Sequence, residues 1–185
     1  FSGRVIIKQK YEGLAVNKKA VPLPVIEKPR RSEPGGIGNM LLEINGGVGV
    51  LRFPALGGLR FVTHAFSTRI GGVSSKEFAS MNLGYGRGDP EENVEENYRR
   101  FAAAAGFEPQ GMVCGCQVHK TDIRRVCEKE RGIGIWKTND CDSADGLITD
   151  APGVTLVVFA ADCVPVYFID PEHRAIGLAH AGWRG

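Results

Sequence analysis

The chain has 185 residues, 43% of them hydrophobic and 24% charged, which places it among ordinary globular proteins with enough material for one core. Its formal net charge of +2 gives no argument for a nucleic-acid or membrane partner, and no apolar run reaches the ~18–20 residues that span a bilayer. Cys114, Cys116, Cys127, Cys141 and Cys163 form an odd set without the density of a secreted disulfide scaffold, so a cytoplasmic, reducing compartment is expected.

Residues 1–45 read as a flexible N-terminal extension. They hold Pro22, Pro24, Pro29 and Pro34, the basic pair Arg30 and Arg31, and a glycine run at 35–38, with Val5-Ile6-Ile7 as a short strand at most. A disordered leader is the plain reading, and an organellar targeting remnant is the alternative. The folded domain is expected over residues 46–185. Phe1 in place of methionine, and a stop at Gly185 where a new element should begin, read as marks of a fragment.

Leu59–Thr68 has the β-branched and aromatic content of a strand, and Gly71-Gly72 then marks a sharp turn. A helix is predicted over 90–105, with Asp89 as N-cap, Pro90 at the first position and Glu92 in the first turn. Val94, Tyr98, Phe101 and Ala105 recur on one face, and Gly106 stops it. Met112–Val118, Thr121–Cys127, Leu147–Thr149, Val154–Ala160, Val164–Ile169 and Arg174–His180 read as strands, with Asp170-Pro171-Glu172-His173 as a turn. Val154–Ala160 lacks polar alternation and should be buried on both faces. The pattern is α+β, a mixed sheet with flanking helices.

Of the four histidines, His173 belongs to an exposed turn and His64 to a packed strand. His119 and His180 both fall at strand ends, and Cys163 follows a buried strand in Asp162-Cys163. Two imidazoles and a thiolate with a fourth position open describe a catalytic zinc site. Two other readings stand beside it: Cys163 as nucleophile with His180 or His119 as base, and a buried thiol among hydrogen-bonded histidines. Arg69 and Arg184, each beside a glycine turn, can present a planar fork to phosphate.

Several strings occur in an order that resembles the YfiH-like, laccase-domain family: Phe66-Ser67-Thr68-Arg69-Ile70-Gly71-Gly72, Met81-Asn82-Leu83-Gly84, Gln117-Val118-His119, Ala144-Asp145-Gly146-Leu147, Ala161-Asp162-Cys163-Val164-Pro165 and His180-Ala181-Gly182-Trp183-Arg184-Gly185. The resemblance implies an α+β domain with zinc on His119, Cys163 and His180, and Arg69, Asn82, Asp162 and Arg184 as catalytic residues. The implied activity is phosphorolysis of adenosine, inosine, guanosine and methylthioadenosine, with adenosine deamination as a side activity. It also implies further chain after the last motif, so the domain is expected to be incomplete at its C-terminus. Lys120 departs from the glycine usual after the first histidine. The family's older oxidase label does not suit four histidines, since a blue-copper site plus a three-copper cluster consume about ten.

Overall fold

The computed structural model describes residues 3–9, 36–37 and 40–183. Strands β1 (Gly3–Gln9), β2 (Gly36–Ile37), β3 (Met40–Asn45), β4 (Val48–Arg52) and β5 (Val62–Ser67) precede helix α1 (Glu91–Ala105). After it come β6 (Met112–Cys114), β7 (Ile123–Arg125), β8 (Gly146–Thr149), β9 (Thr155–Ala160), β10 (Val164–Asp170) and β11 (Ala175–Ala181).

These strands form two sheets. One runs β2-β3-β4-β5-β1-β9-β6 and the other β10-β11-β8-β7. Pairing is antiparallel except for β6 with β9 and β7 with β8, so both sheets are mixed, as the α+β reading requires. Strand β9 explains how the layers stack. Its side chains alternate, with Leu156 and Val158 meeting Leu147, Ile176 and Leu178 of the second sheet. Val157 points the other way, into a cluster with Val94, Tyr98, Phe101 and Ala102 of α1. The strand is therefore buried on both faces, and the order of layers is helix, large sheet, small sheet.

Helix α1 uses the apolar face seen in its spacing. Val94, Tyr98, Phe101 and Ala102 are fully enclosed, and the larger ones contribute about 1.5–3 kcal/mol each by leaving water. Gly106 ends the helix at φ 79, a left-handed conformation that costs glycine nothing. The N-terminus differs from expectation. Pro90 is the cap, and it makes no side-chain cap bond. Asp89 instead accepts from Ser74, Asn82 and Asn93 side chains, because burial gives its carboxylate better use as the hub of a loop.

Among the described residues α1 is the single α-helix, packed on the large sheet, in keeping with the α+β reading. One further expectation needs correction: the expected extension is partly built into the fold, since β1 pairs with both β5 and β9, and β3 pairs with β4. A boundary at 46 thus cuts the β3–β4 hairpin, whose register puts Asn45 opposite Val48. The cause is that β1 is stabilised by partners far along the chain, which local periodicity does not register. The prolines and the Arg30-Arg31 pair lie outside the described residues. No helix among the described residues is long and apolar enough to cross a membrane.

Candidate metal centre

The site is assembled at one end of the small sheet. There β11 ends while β7, β8 and β10 begin. Cys163 immediately precedes β10 and His180 is the penultimate residue of β11, and the hairpin register pairs Pro165 with His180 and Val164 with Ala181. Continued one step, that register sets Cys163 against Gly182, two residues beyond His180 and therefore on the same face. His119 arrives from outside the sheet, on the loop leaving β6.

The ligand atoms of His119, Cys163 and His180 all lie within 4.8 Å of one another. Cys163 Sγ is 3.8 Å from His119 Nε2. The two imidazole rings meet edge to face at 4.7 Å. Ligands of a tetrahedral zinc at 2.0–2.3 Å stand roughly 3.3–3.6 Å apart, so closing the set needs movements of about 1 Å. The residues fit such an ion. Gly182 supports this fit, since a Cβ there would lie 3.3 Å from His119 Cδ2 and 4.0 Å from Cys163 Sγ.

Asp145 lies directly behind the trio and was not singled out as a site residue from the sequence, although its motif was. It is 3% exposed. His180 Nδ1 lies 2.9 Å from its Oδ1, and the backbone amides of Val118, His119 and Lys120 donate to the carboxylate at 3.1, 2.9 and 2.9 Å. Burial alone would raise its pKa, but the bonds from His180 and these amides hold the carboxyl below the usual range. Gln117 fastens the same loop to β9: its side-chain amide donates to Phe159 O at 2.8 Å and accepts from Phe159 N at 2.7 Å. Burial and the neighbouring Asp162 carboxylate push the Cys163 thiol up.

The remaining sequence candidates are distributed unevenly. Asp162 is exposed, with Oδ1 3.8 Å from Cys163 Sγ. Arg69 is also exposed, and its Nε donates to Ala79 O at 2.7 Å while Nη2 reaches Glu77 O at 3.3 Å. Asn82 donates to Asp89 at 2.9 Å and accepts from Gly84 N at 3.0 Å. Both are thus fastened within the loop between β5 and α1, apart from the bonds that build the trio. The glycine pair has a packing reason in the same loop: a Cβ on Gly72 would stand 2.0 Å from Ser80 O, and one on Gly71 would stand 2.4 Å from Gly47 O. Arg184 lies outside the described residues.

His64 is buried and accepts from Phe53 N at 2.6 Å; burial and the Arg52 charge bring its pKa down to about 4. It lines a groove of about 560 Å³ with Arg52 and Phe53, to which none of the trio contributes, and it stacks on the Phe53 ring at 5.9 Å. His173 is exposed in its turn, 2.7 Å from Asp170.

Comparison with known proteins agrees with the motifs. The family model described as multi-copper polyphenol oxidoreductase laccase matches residues 63–185. A purine nucleoside phosphorylase YlmD of Geobacillus stearothermophilus is 44% identical over 120 residues, 64% of this chain and 44% of that protein. A purine nucleoside phosphorylase of Deinococcus radiodurans is 40% identical over 139 residues, 75% of this chain and 49% of that protein. The crystal structure of the Bacillus licheniformis hypothetical protein YfiH superposes with a TM-score of 0.66 at 32% identity, covering 78% of this chain and 53% of that one. The chain spans about half the length of the curated relatives it matches. With the family model covering most of the chain and the relatives agreeing with it, the chain belongs to the YfiH-like, laccase-domain family.

Proposed function

We propose that this chain carries the metal centre of a zinc-dependent purine nucleoside phosphorylase acting on adenosine, inosine, guanosine and methylthioadenosine. The observation that carries the reading is the convergence of His119, Cys163 and His180, joined to the activity borne by the names of the relatives. Zinc, when held there, supplies a Lewis acid with one position open to substrate. In phosphorolysis a phosphate oxygen attacks the anomeric carbon while the bond to the purine nitrogen breaks and its electron pair leaves with the base. Arg69 and Arg184 are assigned to the phosphate, offsetting its charge. Asp162, exposed beside Cys163, is assigned to hydrogen-bond or protonate the departing purine. Asn82 sets the loop that carries Arg69 through its bond to Asp89. Adenosine deamination, consuming water in place of phosphate, is the second activity of this reading.

A cysteine hydrolase has one observation in its favour: Asp145, His180 and Cys163 follow the order of an orienting carboxylate, a base and a nucleophile. A hydrolase of that kind needs one imidazole. The metal reading gives a role to both rings that meet the thiol.

The test is metal content by mass spectrometry on purified protein without added metal, wild type beside Cys163→Ser and His119→Ala. Phosphate-dependent base release and ammonia release are then assayed on each nucleoside. Near-stoichiometric zinc that falls in both variants, with phosphorolysis falling alongside, is the expected result. Folded wild-type protein with no zinc, and a hydrolytic activity lost only in Cys163→Ser, overturns the proposal in favour of the hydrolase.

A further inference from the structure

We propose that Asp145 is the positioning residue of the metal centre, fixing the tautomer of His180 and the backbone of His119 at once. The proposal rests on the metal reading above. Two donors converge on each carboxylate oxygen. Oδ1 receives His119 N and His180 Nδ1, both at 2.9 Å, and Oδ2 receives Val118 N at 3.1 Å and Lys120 N at 2.9 Å. An ionised carboxylate has about four acceptor positions and no hydrogen, so all its capacity is used and every partner must donate.

Two consequences follow for the trio. Nδ1 of His180 must carry the ring hydrogen, which leaves the Nε2 lone pair for a metal. The three successive amides of residues 118–120 close around an anion, a geometry that requires a left-handed residue, and His119 sits at φ 61. That conformation is uncommon for a residue with a Cβ. The carboxylate behind it compensates, and so presents the His119 ring to Cys163.

Asp145 owes its place to the sheet rather than to a loop. β8 pairs Gly146 with Ala179 of β11, so Asp145 stands opposite His180, and His180 N donates to its carbonyl at 2.7 Å. Asparagine cannot substitute. Either orientation of its amide turns an NH₂ toward a pair of N–H donors. At the Oδ2 position it opposes Val118 N and Lys120 N, which cannot give up their hydrogens; at the Oδ1 position it opposes His119 N and His180, whose contact is relieved only by moving the ring hydrogen to Nε2, which weakens the ligand.

The experiment has two readouts on wild type and Asp145→Asn. Zinc affinity is measured by competition with a chromophoric chelator, and the His180 tautomer by ring-nitrogen NMR on metal-free protein. The expected result is an Nδ1–H tautomer in wild type, its loss in the variant, and zinc affinity weakened about 10- to 100-fold. A folded Asp145→Asn protein with unchanged affinity overturns the proposal. So does an Nε2–H tautomer at His180 in wild type, a result independent of whether the variant folds. Wild-type protein that binds no zinc sinks the metal reading instead, while the tautomer still decides the role of Asp145.

Discussion

Replacing Asn97 with leucine should destabilise the protein by about 3.5 kcal/mol. Asn97 is wholly buried on α1 and fastens the loop that carries Arg69 and Asn82. Its Oδ1 accepts from Val73 N at 2.8 Å, and its Nδ2 donates to Ser74 Oγ and Asn82 O at 2.8 Å and to Ser80 O at 3.3 Å. Leucine branches at the same carbon and is larger, so it excludes water but offers none of these bonds. Ser74 Oγ retains Asp89, and Ser80 O retains Ser74 N, so Val73 N and Asn82 O are the groups stranded. At about 1–3 kcal/mol each, less roughly 0.5 kcal/mol for the better helix propensity of leucine, the loss centres near 3.5 kcal/mol. For a domain of this size that lowers Tm by about 7–14 °C. Asn93→Ala, which removes one bond of 3.2 Å to Asp89, is the control and should cost under about 1 kcal/mol. Thermal and urea unfolding followed by circular dichroism measure both. If Asn97→Leu unfolds with its control, the loop is not held by α1 and the reasoning fails.

Two other perturbations probe the site and the core. Gly182→Ala should lower zinc affinity about three- to tenfold, close to 1 kcal/mol, with little change in Tm, because the new methyl stands 3.3 Å from His119 Cδ2 and displaces a ring rather than backbone; unchanged affinity in the chelator competition rules out that crowding. His64 gives a pH signature. Its folded pKa is about 4 against an ordinary 6.5, so above 6.5 it is neutral in both states and adds no pH dependence. As pH falls from 6.5 toward 4 the unfolded chain takes up a proton that the folded one refuses, so stability drops by at most about 3 kcal/mol. Urea titrations at several pH values should show that slope in wild type and a shallower one in His64→Gln; equal slopes would mean His64 charges freely in the fold.

Local chemistry made much of this protein readable. Helix α1 announced itself through its apolar spacing and Gly106, and β9 through an apolar run without polar interruption. His119, Cys163 and His180 stood out through motifs that resemble those of a known family, since scattered residues carry no spacing signal of their own, and the fold brings their ligand atoms within 4.8 Å of one another. Arg69 was legible as a residue beside a turn, but its bonds to Glu77 O and Ala79 O depend on how the loop folds back. Asn82 is set in the same way by Asp89 and Asn97, neither of which has a distinctive local pattern.

What the sequence determined by itself was therefore the type of most elements, through short-range periodicity, and the inventory of residues that could hold a metal, through side-chain chemistry and motif resemblance. Only tertiary structure decided that Gly3–Gln9 is an inner strand, since its stability comes from β5 and β9. It alone decided the position of Asp145, because the carboxylate meets its four donors through sheet register and a distant loop. Hydrogen bonds between remote segments depend on three-dimensional closure, and nothing in the spacing along the chain encodes them.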